Sequence, residues 1–246
     1  DAEHLRPILN TASSYDPKNP YANRDPRFYA SVYYNGAIRY LDQPNGDVVE
    51  TYVGGNCGIS DKVTDIRYTR TGYYMRKFNN FKSGIGQDAD GLMRIFRLAE
   101  LYLNFAEAAY QAVGPDGQVA SKVGAEALSA RDAVNKIRVR AGIPALSSGM
   151  SKDSFEKRYR NERRVELAFE EHRFFDVRRW KILNETDDFV TGMKIVKEED
   201  GTFTYNRIKL ASRGTNADKY LLYPIKQTEV AKMLKHTGAN WQNPGW

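Results

Sequence analysis

Residues 151–180 read SKDSFEKRYRNERRVELAFEEHRFFDVRRW. Ser151 is a residue type that caps helix N-termini, and Phe155, Tyr159, Phe169 and Val177 keep an apolar side as the chain runs on to Trp180, so the stretch predicts one long helix. Its other positions are densely charged, with nine Lys or Arg against seven Asp or Glu. Signs mixed this evenly predict pairing within and between helices rather than a face that tracks phosphates. Glu162, Glu166, Arg173 and Asp176 fall at steps of four, seven and three, along one face beside Phe169. Two carboxylates one turn apart have Cβ atoms about 5–6 Å apart, which invites a glycosidase reading. Glycosidase acids, however, flank a cleft from different elements, whereas these share their helix with Arg163, Arg173 and Arg178. The expectation is a partly buried ion-pair network that fixes packing register.

Working outward, Leu92, Ile95, Phe96, Ala99, Tyr102, Phe105, Ala106 and Ala109 recur at three- and four-residue steps. They predict a helix over 92–113, capped by Asp90 and ended by Gly114-Pro115. Ala127, Val134, Ile137 and Ala141 mark another helix, stopped by Gly142 with Pro144 beyond. The three helices are expected to pack as antiparallel neighbours. Downstream, residues 193–196 and 203–208 flank Asp200-Gly201 as a β-hairpin, and a short helix over 228–234 follows Pro224. The first ninety residues differ: they hold Pro7, Pro17, Pro20, Pro26 and Pro44 and no sustained helical period, with a strand expected over 28–34 before the turn pair Asn35-Gly36. Ten of the sixteen tyrosines lie there. The chain thus divides into a loop-rich, tyrosine-rich part, 1–90, and a helical part, 91–246, joined in one structural unit of mainly α class with short strands and a hairpin. The region 91–180 is expected to be the stable element and residues 40–70 the mobile one.

With 246 residues the chain is long enough to bury a core without staples, and its single cysteine, Cys57, makes neither an internal disulfide nor a thiolate zinc site. Thirty-seven basic residues against thirty-one acidic leave +6, but the excess is not gathered into a stripe, so no nucleic-acid partner is expected. No run approaches the roughly 18 apolar residues of a membrane helix. The opening DAEHLRPILN carries no leader, so any targeting segment is expected to lie outside this sequence. The three histidines, His4, His172 and His236, form no H-x-x-x-H pair, and Phe169 stands where a Glu-x-x-His element ending at His172 needs an acid. Cys57, in the GGNCG loop of 54–58, reads as a passive residue rather than a nucleophile. Gly84, Gly86 and Gly91 match no phosphate-binding loop, and Asp88-Ala-Asp90-Gly91 lacks the closing acid of a calcium loop. No metal, no cofactor and no catalytic residue are expected.

Seven blocks carry a resemblance: NRDPRF (23–28), GYYMRKF (72–78), RLAELYLNFAEA (97–108), NKIRVRAG (135–142), NERRVELAFEEHRFFDVRRW (161–180), LYPIK (222–226) and QNPG (242–245). In this order, over nearly the whole chain, they resemble the C-terminal half of the SusD/RagB family, with Trp246 where the family commonly has Tyr. The resemblance implies a SusD-like fold on a tetratricopeptide-like helical scaffold. It further implies a surface-exposed, glycan-binding lipoprotein of the outer membrane that takes up oligosaccharide or polysaccharide and works as a lid on a SusC-like TonB-dependent porin. No enzymatic activity is implied, and membrane attachment would come only through an N-terminal lipid anchor absent from this chain. Sugar binding wants flat aromatic faces together with amide and carboxylate side chains. The candidate glycan-binding residues are Tyr40, Asp42, Asn45, Asp47, Tyr52 and Tyr68, with Tyr29 and Tyr33 assigned to packing. A helical-repeat scaffold for a protein ligand, without sugar, is the competing reading, and a glycan-cleaving enzyme the third.

Overall fold

A computed structural model describes residues 13–39, 48–58, 68–80, 94–120, 124, 126–186, 189–214 and 218–246. Asp90, Leu92, the glycines of 84–91 and the candidate residues Tyr40, Asp42, Asn45 and Asp47 lie outside them, as does most of the 40–70 segment.

The tyrosine-rich part is built on short elements. Helix α1 (Pro26–Ser31) starts where Asp25 accepts the backbone N–H of Arg27 and Pro26 sits in the first turn, where its missing N–H costs nothing. This corrects the strand expected over 28–34: only β1 (Val32–Tyr33) is extended, because the Asp-Pro start outweighs the β-propensity of Phe28 and Tyr29. β2 (Ala37–Ile38) pairs antiparallel with β3 (Val48–Val49), and β1 pairs with β4 (Tyr74–Met75).

The helical core follows. Helix α2 (Leu98–Val113) buries Ala99, Leu103, Ala106, Ala109 and Tyr110. Its expected start at 92 is corrected, since Arg97 is the N-cap and Ile95 and Phe96 precede the helix with their side chains exposed. The short β5 (Gln118–Val119) and β6 (Leu128–Ser129) pair and lead into α3 (Ala130–Arg140), where the Ser129 hydroxyl accepts the Asp132 N–H. The run of alanines on α2 and α3 lets the two backbones approach closely, and the gap beside them is filled by Tyr110, Phe155 and Tyr159, whose ring centroids lie 5.4–6.4 Å apart.

The long helix expected over 151–180 is two. Helix α4 (Lys152–Glu166) is capped by Ser151 as expected, but the chain breaks at 167–171 and resumes as α5 (His172–Arg179). Phe169 and Glu171 adopt φ values of 66° and 64°, a left-handed conformation unusual for residues other than glycine. No proline or glycine marks this break. Instead the carbonyls freed at the end of α4 are satisfied from afar: Lys77 Nζ donates to the carbonyls of Glu166 and Ala168 at 3.0 Å each, and Arg97 Nη2 to that of Glu166 at 2.7 Å. As a result Arg173 and Asp176 sit on α5 rather than on the face of Glu162 and Glu166, and Phe169 points out to solvent.

The expected hairpin is present and longer than anticipated. Strands β7 (Phe189–Lys197) and β8 (Phe203–Ser212) pair around Gly201, which holds φ 82°, with a bulge at Val190/Thr191. Met193 and Ile195 pack against Tyr21 and a ring of aromatic side chains from the first part of the chain. Met193 N–H donates to Thr71 O at 2.9 Å beside Gly72, whose φ is 79°; a Cβ there would lie 2.4 Å from the Met193 carbonyl oxygen, so glycine alone permits the approach. Helix α6 (Gln227–Thr237) closes the fold and ends on Gly238 at φ 71°.

Candidate functional site

The acidic residues of α4 lie at the centre of the molecule's main polar network. Glu162 is almost fully buried and accepts Arg138 Nη1 at 2.7 Å and Arg27 Nη1. One turn on, Glu166 accepts Arg97 Nη1 and Arg140 Nη2 at 2.6 Å each and Arg27 Nη1 at 3.0 Å. Arg27 also chelates Asp25 through Nη2 at 2.7 Å, and Glu170 accepts both Lys77 and Arg97. Burial pushes the Glu166 carboxyl up, but the hydrogen bonds and charges of Arg97, Arg27 and Arg140 outweigh it and hold the group below the ordinary carboxylate range. Glu170 is lowered in the same way, its burial overcome by Arg97 and Lys77. A carboxyl held ionised among guanidiniums cannot serve as a general acid, so this pair has the form of a packing device. The ion-pair reading of Glu162 and Glu166 therefore holds, with its cations drawn from three separate segments: Arg27 on α1, Arg97 before α2, and Arg138 and Arg140 on α3.

A second knot sits next to it. Arg163 Nε donates to Asp176 at 2.8 Å, Arg179 bridges Asp176 and Glu107, and Glu107 also accepts the Trp180 indole N–H at 2.7 Å and the Tyr159 hydroxyl at 2.8 Å. It fixes α5 against α2 across the helix break.

Above Glu166 opens a cleft of about 590 Å³. Tyr33, Arg76, Lys77, Phe78, Arg94, Arg97, Arg140, Arg27 and Glu166 are among the residues that line it. Arg76 donates to the Tyr29 carbonyl at 3.2 Å and lies over the Tyr33 ring, while Arg94 approaches only the Phe78 ring among the described residues. Sequence reading missed this cleft, because its lining comes from segments far apart in the chain. The signal available was the cation density of GYYMRKF and RLAELYL, which no single segment shows to be convergent.

Of the six residues proposed from sequence, Tyr52 and Tyr68 are described. Tyr52 is half-buried, with its ring 5.5 Å from Phe203 and Lys197 Nζ above it at 5.4 Å. Tyr68 is exposed. Tyr33 is buried and Tyr29 half-buried, as packing residues should be; Tyr29 accepts the Arg24 N–H and donates to Tyr21 O. Cys57 packs in the small cluster of Tyr33, Ala37 and Val49. Among the described residues no group of three or more His, Cys, Asp or Glu is placed to hold a metal, and no helix is long and apolar enough to cross a membrane.

Comparison with known proteins agrees with this architecture. No curated protein matches the sequence. A SusD-like carbohydrate binding protein from Bacteroides fragilis NCTC 9343 shares the fold at a TM-score of 0.58 and 24% identity, over 90% of this chain and 43% of its own. A SusD superfamily protein from Bacteroides vulgatus ATCC 8482 matches at 0.50 and 22% identity, over 97% of this chain and again 43% of its own. The present chain therefore spans under half the length of these solved relatives. The model of the SusD family matches residues 9–246, through the helices that carry the network and through the closing segment after α6, and on that match the chain belongs to the SusD family.

Proposed function

We propose that this protein is the glycan-capturing component of an outer-membrane nutrient uptake system, surface-exposed and lipid-anchored, that delivers oligosaccharide to a SusC-like TonB-dependent porin. The family match over nearly the whole chain carries this reading. The concentration of tyrosines in the first part supports it, since aromatic faces suit the apolar C–H faces of pyranose rings. Tyr40, Asp42, Asn45, Asp47, Tyr52 and Tyr68 are the proposed sugar contacts, with the aromatic and basic cleft above Glu166 as a further part of the binding surface. The protein acts without hydrolysis, because the acids that could tempt a glycosidase assignment are neutralised inside the network.

A panel of soluble oligosaccharides and polysaccharides tests the proposal. Saturable binding with no release of reducing sugar is expected. Turnover that Glu166→Gln abolishes would replace it with an enzyme, and absence of saccharide binding alongside peptide binding would favour a protein scaffold.

A further inference from the structure

We infer that the cleft above Glu166 is a seat for an oxyanion carried on a saccharide, a uronate carboxylate or a sulfate ester, so that the glycan this protein captures is acidic. The inference rests on the glycan-binding reading above and names its substrate class. Three observations carry it. First, among the described residues the charges around the cleft do not balance: Arg27, Lys77, Arg97, Arg138 and Arg140 face the four carboxylates of Asp25, Glu162, Glu166 and Glu170. Arg76 and Arg94 add two more guanidiniums whose contacts among the described residues are a carbonyl and aromatic rings. Glu166 is the sole acid among the described residues that line the cavity, and its oxygens are already taken.

Second, two of the donors are exposed. Arg140 is 61% exposed along its side chain and uses one N–H on Glu166, and Arg94 is exposed at the rim. Guanidiniums match planar carboxylate and sulfate oxygens with paired N–H groups, and such charge-assisted bonds are about twice as strong as those to a neutral hydroxyl. A neutral sugar filling the same space would desolvate these cations without compensating them.

Third, an aromatic platform is held at the same rim. Phe78 is 45% exposed and adopts φ 70°, a conformation that bulky residues rarely take and that the surrounding structure must enforce. Lys77 Nζ lies 5.7 Å and Arg94 Cζ 6.0 Å from the centre of its ring, so a pyranose set against the exposed part of the ring would bring an equatorial carboxylate or sulfate close to these cations.

The test is calorimetric titration of the chain with tetragalacturonate, with its neutral methyl ester, with one oligosaccharide in sulfated and desulfated forms, and with a glutamate-rich peptide. An acidic saccharide should bind at least about tenfold more tightly than its neutral partner, the margin shrinking as salt is raised. Preference for galacturonate over its ester identifies the carboxylate as the anion, and preference for the sulfated form identifies sulfate; either supports the inference. Arg94→Ala, which among the described residues removes a contact to the Phe78 ring, should cut acidic affinity about three- to tenfold and weaken the neutral forms by less, and Arg76→Ala should act in the same direction. Equal affinity for charged and neutral saccharides overturns the inference while keeping the glycan reading. Binding of the peptide and of no saccharide overturns both.

Discussion

At the scale of single residues, Glu166 is the most consequential side chain in the molecule. Its two oxygens accept three guanidiniums from three segments. Glu166→Gln keeps an acceptor but removes the charge, leaving buried cations undercompensated. The expected cost is about 3 kcal/mol, seen as a fall in melting temperature of roughly 6–12 °C with no change in any catalytic readout. The same residues set the pH response. Glu107, Glu166, Glu170 and Asp25 all have carboxyls lowered in the folded state, each by arginine neighbours that overcome burial. The unfolded chain therefore takes up protons first as pH falls. Stability contributed by these groups is fully present above their unfolded values near 4.5 and 3.8 and is lost progressively as pH drops through the lower folded values. Thermal melts from pH 7 to pH 2 should show a plateau above about pH 5 and a steep decline below it; a melting temperature that rises on acidification would contradict this.

At the scale of elements, the break between α4 and α5 is the feature that local sequence could not disclose. The helical period of Phe155, Tyr159 and Val177 continues through it, and the chain carries no glycine or proline there. What stops the helix is a pair of cations 69 and 91 residues away in sequence, Arg97 and Lys77, which offer the terminal carbonyls better partners than another turn would. Lys77→Met should therefore destabilise the protein by about 2 kcal/mol, and hydrogen exchange should show lost protection at the amides of 167–172 while α2 and α3 keep theirs. Where a signal is local, it was legible. Ser151 caps its helix, Gly142 ends the one before it, and Asp200-Gly201 turns the hairpin. The start of α2 was misplaced because Ile95 and Phe96 happen to fit its apolar period while lying outside the helix. The cleft was invisible for a related reason: Arg76, Arg94 and Arg140 belong to three segments that only tertiary packing brings together.

At the scale of the whole molecule, the apolar residues at the start of α2 are left uncovered. Ile95 is 89% exposed, and Phe96, Leu98 and Leu101 are at least half exposed. A surface of this kind on an isolated chain favours self-association. Sedimentation should show a concentration-dependent dimer burying about 800 Å² per partner, which Leu98→Glu with Leu101→Glu should return to monomer; a strict monomer at high concentration in the parent chain would count against it.

The long reach of the central network also has a consequence for biosynthesis. Arg27 finds Glu162 and Glu166 only 135 and 139 residues later in the chain. At roughly 5–20 residues translated per second, its guanidinium emerges on the order of ten seconds before either partner exists. During that interval the carboxylate nearest in sequence is that of Asp25, two residues away, which in the folded chain holds Arg27 through both Nε and Nη2. The aspartate that caps α1 is thus placed to occupy the arginine from its first appearance, before α4 exists.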